Sequence, residues 1–345
     1  MPKRLVNVPR GARLTELDIV SYGRRGRHTA LEFSAAQIEQ IARTVRGVPE
    51  VIIKVSGGGK SAEAVRAHLA YIDRHGKLDV LTDDGERLQG KSVAAFLVDD
   101  WNLEVGRGQY RPEAGGTTND RRPKQVHNIV FSMPAGTSPE KLLAATQKFA
   151  REKFALQHRY AMVLHTEQGH PHVHLVVKAV SEQGERLYIR KATLQHWRED
   201  FAGYLRELGV AANATPSVLR GRVKTRKKDG IYRALKRGQS TFVRRKVEEV
   251  AEELRRGRLT PEPVKERLTA TQAEVIDDWR LSVEILGRQG HQELARDAEA
   301  FVASMPAALT EKEALAKRLL SRIAAERARP KLGGDQAPPV PNRVR

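Results

Sequence analysis

His165-Thr166-Glu167-Gln168-Gly169-His170-Pro171-His172-Val173-His174-Leu175-Val176-Val177 is the stretch on which the reading of this chain turns. His172 and His174 stand two apart at the head of an apolar, β-branched run. Residues two apart on a strand share one face. Both imidazoles therefore project from the same side of a sheet edge. Gly169 and Pro171 let the chain turn just before, so His165 can return from the end of a preceding strand. Three neutral ring nitrogens around one point make a divalent-metal site with open positions, which a catalytic ion needs. Histidines also cluster by chance on polar surfaces, but three on a strand and its entry turn favour metal. His170 lies beside the turn and off the His172/His174 face, so its role is a supporting or DNA-facing one outside the ligand set.

Outward from this stretch, residues 159–165 and 172–177 read as a hairpin-like strand pair. Residues 126–132 and 187–190 read as further strands, and 138–156 as a helix. A helix over 193–208 is capped by Gly209. Upstream, Ser34 to Gln37 has capping-box form and opens a helix to about Val45. Residues 51–55 form a short strand that Gly57-Gly58-Gly59-Lys60 breaks. Ser61 then opens a helix to about His75, and another covers 91–101. Residues 106–124 make a long exposed loop. The resulting fold class is α+β: a largely antiparallel central sheet with helices on one side, followed by a mainly helical C-terminal region. The expected units are a basic N-terminal extension with one helix (1–50), a catalytic domain (51–215), a basic, mainly helical region (216–328) and a disordered tail (329–345).

Composition narrows the partner. The chain has 345 residues, with 61 Lys plus Arg against 42 Asp plus Glu, a formal net charge of +19. That excess calls for a polyanion, either nucleic acid or an anionic membrane surface. No stretch approaches the ~18 uncharged apolar residues of a transmembrane helix, and the first residues lack the apolar core of a secretory signal. No membrane insertion is expected, and nucleic acid becomes the favoured partner. The absence of cysteine excludes disulfides, thiolate-bound zinc and thiol catalysis, and fits a reducing cytoplasm. Residues 220–246 hold twelve Lys or Arg and one Asp. Lys224, Arg226, Lys227 and Lys228 lie in this run and are the candidates for tracking phosphates.

Metal plus basic surface suggests phosphodiester chemistry, and without cysteine the attacking group is water, Ser, Tyr or an acid. Among seven tyrosines, Tyr71 stands out by context. Val65, Leu69 and Ile72 form an apolar stripe that should dock on the sheet. His68, Tyr71 and His75 form the neighbouring stripe, at the border of the buried face. There a phenol can be held firmly and still reach a cleft. Arg74, three residues on, is placed to hold a phosphate, with His75 beside it. A tyrosine at a core boundary is usually a packing residue with a wet hydroxyl, and periodicity alone favours that reading of Tyr71 over attack. Tyr160 and Tyr188 fall in expected strands. Tyr22 and Tyr110 lie among Gly and Arg, where stacking on a base is an alternative.

With these residues assembled, the chain resembles conjugative relaxases of the MobA/VirD2 type, within the HUH endonuclease superfamily. Three segments carry the resemblance in order: His68-Leu69-Ala70-Tyr71-Ile72-Asp73-Arg74-His75-Gly76-Lys77-Leu78, then His127 to Thr137, then His165 to Val177. The similarity runs from about Val51 to Thr215. The acid of the third segment is usually aspartate, and here it is Glu167. Related rolling-circle initiators place the tyrosine after the His-x-His pair, whereas Tyr71 precedes it by about a hundred residues, which favours the relaxase reading.

The resemblance implies that Tyr71 is the nucleophile and that His165, His172 and His174 hold Mg2+ or Mn2+. The ligand set taken alone would suggest Mn2+, Zn2+ or Ni2+. It implies a 5′-phosphotyrosyl intermediate with a free 3′-hydroxyl, formed on single-stranded DNA at an origin of transfer and religated afterwards. Glu167 then orients a ligand histidine or accepts a proton. Expected partners are accessory relaxosome proteins and a type IV coupling protein. The expected location is the bacterial cytoplasm, with export alongside DNA to a recipient. The competing readings are a metal-dependent nuclease that uses water, a rolling-circle initiator, and a non-catalytic DNA-binding module with structural histidines.

Overall fold

The computed structural model describes residues 32–103, 123–167, 169–221, 234 and 237–328. The N-terminal arm before residue 32, most of the 106–124 loop, the tail after 328 and Lys224, Arg226, Lys227 and Lys228 lie outside the described residues.

Six strands form one antiparallel sheet: β1 (Ile52–Gly57), β2 (Val80–Thr82), β3 (Arg87–Leu88), β4 (Val126–Ser132), β5 (Tyr160–His165) and β6 (His172–Lys178). Their spatial order is β1-β4-β6-β5-β2-β3. Strands β5 and β6 pair with His165 opposite His172 and Val163 opposite His174. Strand β4 flanks β6 with Ser132 opposite His172 and Val130 opposite His174. The expected strand pair and its neighbour are therefore present, and the α+β class holds.

Helices α1 (Ala35–Val45), α2 (Ala62–Ile72), α3 (Val93–Asp100), α4 (Pro139–Phe154) and α5 (Lys191–Glu207) surround this sheet. Serine caps start several of them: Ser34 and Gln37 form the expected capping box, Ser61 accepts from the Ala64 amide and Ser138 from Lys141. The helices cover both faces of the sheet rather than one. On one face, Ile129, Phe131, Val173, Leu175 and Val177 pack against Phe149 of α4 and Phe201 of α5. Phe131 lies 4.9 Å, centroid to centroid, from each of these two rings. On the other face, Val126, Ala161, Val163 and Val176 meet Val65, Leu69 and Ile72 of α2 and Leu97 and Trp101 at α3. The reason is legible in β6 itself. Leu175-Val176-Val177 is continuous apolar sequence, the pattern of a strand buried on both sides.

Two local expectations change. Residues 187–190 form no strand; a single bridge joins Val180 and Arg186 just before them, and the Leu187 amide donates to the Ala179 carbonyl. Helix α2 stops at Ile72, not at His75. The buried Asp73 side chain accepts from the Gly76 amide, while Arg74, His75 and Gly76 all take left-handed backbone angles.

Downstream lie α6 (Thr241–Arg255), α7 (Val264–Arg288), α8 (Gln292–Ala303) and α9 (Glu311–Ala328). The described parts of 16–216 and 279–301 form one compact unit, and those of 217–278 and 302–345 form a second. In the second unit, ion pairs Lys246–Glu311, Lys265–Glu313 and Lys312–Glu253 join α6 and the start of α7 to the first turn of α9. No described helix is long and apolar enough to cross a membrane.

Candidate active site

The three histidines converge as the strand pattern requires. Ring centroids are 5.1 Å apart for His165 and His172, 4.6 Å for His165 and His174, and 5.2 Å for His172 and His174. One potential ligand nitrogen from each lies within 4.8 Å of the others. Gly169, with φ 73°, supplies the left-handed step in the turn that brings β6 back beside β5. The Ser132 hydroxyl donates to the Pro171 carbonyl at 3.3 Å and pins that turn to the end of β4.

Hydrogen bonds fix two of the rings. His165 Nε2 donates to the Ile72 carbonyl at 2.6 Å, which leaves Nδ1 with its lone pair. His172 Nδ1 donates to the His170 carbonyl at 3.3 Å, which leaves Nε2. Burial lowers the pKa of all three histidines below the ordinary value, and His174 falls to about 3. All three are thus neutral near pH 7, the state a metal ligand needs. Three uncharged imidazoles, two of them oriented by hydrogen bonds, fit a divalent ion.

Tyr71 comes from α2 into the same cleft, an open space of about 260 Å³ lined by Tyr71, Arg74, Val130, Ser132, His170 and the triad. Its side chain is 56% exposed, more than a packing residue would be. The Ile72 carbonyl that receives His165 is the next residue along, so the helix end that carries the phenol is tied to the metal cluster. The Arg74 guanidinium lies 5.7 Å from the Tyr71 ring centroid and 3.7 Å from the Glu167 carboxylate. Arg74 lines the cleft, and its Nε is buried with no hydrogen-bond partner among the described residues.

Other expected residues fall differently. His75 is exposed, off the helix and absent from the cleft lining. Glu167 pairs with Arg74 and makes no hydrogen bond to a ligand histidine among the described residues. His127 points to the opposite face, where its ring bonds the Leu187 carbonyl; its segment reaches the cleft through Val130 and Ser132. Tyr204 is packed in the core on that opposite face with its hydroxyl donating to Glu152, and burial raises its pKa. It is no candidate for attack in the triad cleft. Sequence reasoning left His68 in a stripe with no role, yet its ring reaches His174, 6.4 Å between centroids. Its position three residues before Tyr71 was the available signal.

Residues 112–210 match the family model for the relaxase nuclease domain, MobA/VirD2-like. That segment includes the whole triad, while Tyr71 and Arg74 precede it. The chain is similar to the T-DNA border endonuclease VirD2 of Rhizobium rhizogenes, 28% identical over 141 residues, or 37% of this chain and 30% of that protein. The protein of the same name from Agrobacterium fabrum (strain C58) is 27% identical over 141 residues with the same shares. The chain therefore spans under a third of the length of these relatives. A solved structure titled "Molecular Basis of Vancomycin Resistance Transfer in Staphylococcus aureus" aligns with 49% of this chain and 99% of that one at 13% identity. Its TM-score of 0.27 is too low to bear on the fold.

Proposed function

We propose that this chain, whose residues 112–210 match the MobA/VirD2-like relaxase nuclease family model, nicks and reseals one DNA strand at an origin of transfer. The observation that carries the proposal is the shared cleft of Tyr71 and the histidine triad. Tyr71 Oη attacks the scissile phosphorus. A Tyr71 Oη–phosphorus bond forms as the phosphorus–O3′ bond breaks, and the proton lost by the phenol is balanced by the one that O3′ gains. The product is a 5′-phosphotyrosyl link and a free 3′-hydroxyl. Attack by that hydroxyl reverses the step, so the phosphodiester energy is conserved and no nucleotide cofactor is needed.

His165, His172 and His174 would hold Mg2+ or Mn2+, which supplies Lewis-acid stabilisation of charge on the non-bridging phosphate oxygens. A free phenol has a pKa near 10, so the attack needs nearby positive charge. Arg74 provides it beside the Tyr71 ring and also grips the phosphate. Glu167, paired with Arg74, steadies the guanidinium. Single-stranded DNA is the substrate, reached in the cytoplasm as part of a relaxosome. Accessory proteins and a type IV coupling protein are the partners such a role requires, with export on the 5′ end of the strand.

The test is a denaturing gel of the full chain incubated with Mn2+ and single-stranded DNA from its own transfer origin. A protein–DNA band that resists denaturation is expected, and Tyr71→Phe should abolish it, with at least a ~1000-fold loss of nicking. Cleaved DNA with no attached protein would assign the attack to water instead. Chelator-insensitive binding with no cutting in any divalent ion would reduce the protein to a binding module.

A further inference from the structure

The three ligand histidines are not equally supported. His165 and His172 each give one ring N–H to a carbonyl oxygen. The His174 ring has no hydrogen-bond partner among the described residues, and it is the least buried of the three. A metal-bound imidazole spends one nitrogen on the ion and needs an acceptor to orient its other N–H.

Among the described residues, His68 is the one ring from outside the triad that meets His174 edge-on. It belongs to α2, one turn before Ile72, the residue that holds His165. Its Nε2 is buried and unpartnered. A buried polar atom without a partner is costly, so one beside a candidate metal centre calls for a cause. Asn128 Oδ1 is a second such atom on the same sheet face, but the Asn128 amide nitrogen lies against Gly57 and no contact joins it to His174. The unsupported ligand ring and the unused ring nitrogen at His68 are neighbours.

We propose that His68 is a positioning residue for the metal centre, accepting the His174 N–H that faces away from the ion, directly or through one water. Helix α2 then braces the triad at two points, Ile72 on His165 and His68 on His174, with Tyr71 between them. The same bracket sets both the ligand rings and the phenol. This rests on the metal-site reading above and is independent of whether Tyr71 or water attacks phosphorus.

The experiment compares the full chain with His68→Phe, which keeps a ring and removes the nitrogens, and His68→Gln, which restores a hydrogen-bonding group. Mn2+ affinity is measured by calorimetry, and histidine tautomers of the metal-free proteins by long-range 1H–15N spectra. His68→Phe should weaken Mn2+ binding roughly 10- to 100-fold, and His68→Gln should recover most of that loss. The His174 tautomer ratio should shift in His68→Phe while His165 and His172 keep theirs, which a merely misfolded variant would not do. Undiminished Mn2+ affinity with an unchanged His174 tautomer would overturn the proposal. So would nitrogen couplings from four imidazoles on bound Mn2+, which would make His68 a ligand. If the parent chain binds no Mn2+, the metal reading fails, and the His174 spectrum still decides whether His68 holds that ring.

Discussion

Arg74 and His75 stand in the left-handed region with φ of 56° and 58°, immediately after the helix that presents Tyr71. Each such non-glycine residue costs about 1–2 kcal/mol. The turn survives because the Asp73 carboxylate accepts the Gly76 amide at 3.0 Å and the Lys77 and Leu78 amides bond the Asp73 carbonyl. The geometry folds the Arg74 guanidinium back beside the Tyr71 ring, so the strain coincides with the cleft. Arg74→Gly should relieve the backbone and lose about as much through unfolded-chain entropy, leaving stability within about 1 kcal/mol. Binding should suffer instead. Removing one charge-assisted hydrogen bond to phosphate, about 1.5–3 kcal/mol, predicts roughly 10- to 100-fold weaker binding of single-stranded DNA. Urea melts and fluorescence anisotropy measure the two quantities, and an unchanged affinity would remove Arg74 from the phosphate site. The spacing of Arg74 from Tyr71 made their proximity legible in sequence. The left-handed turn was not, because neither Arg nor His advertises such a backbone.

At the scale of elements, legibility followed the strength of each local pattern. Strands β4, β5 and β6 and helices α4 and α5 carry long apolar periodicities and clear caps, and they form where the sequence placed them. The β2–β3 hairpin was missed because strands of three and two residues leave no period to read. The second covered face was missed although the continuous apolar Leu175-Val176-Val177 run of β6 carries its signal. His68 was missed as a neighbour of His174 because the approach depends on how α2 lies across the sheet. In α7 the pattern hid a titrating acid. Burial, then the nearby Glu274 and Asp277 carboxylates, raise the Asp278 pKa to about 6 from 3.8. An acid whose pKa rises on folding stabilises the native state fully below its unfolded value, and that contribution is lost as pH climbs through the folded one. At pH 7.5 ionised Asp278 is therefore a cost. Asp278→Asn should raise stability there by on the order of 1 kcal/mol, discounted for partial solvent screening, and change little at pH 4. Urea melts at both pH values decide it; an equal gain at both would assign the effect to something other than charge.

Across the whole molecule, the formal charge of +19 is the largest single electrostatic fact. Coulomb attraction to DNA does not depend on base sequence, so this charge should set affinity and salt dependence without choosing the nick site. Chemistry and general affinity should therefore separate. On the proposed function, the cleft residues Tyr71, Arg74 and the triad would govern cutting, while Lys224, Arg226, Lys227 and Lys228 would govern how tightly a long strand is held. Replacing those four with alanine should lower the slope of log affinity against log salt by up to about 3 on single-stranded DNA, at about 0.7 for each phosphate no longer neutralised. Binding should weaken equally for origin and unrelated sequences. Adduct formation on a saturating short oligonucleotide should stay within about threefold of the parent, because no cleft group is touched. Anisotropy titrations over a salt series, run beside the denaturing gel, measure both. An unchanged slope would show these cations to be a solvated surface run. Failure to form the adduct at saturating DNA would show instead that the basic segment enters the catalytic cleft.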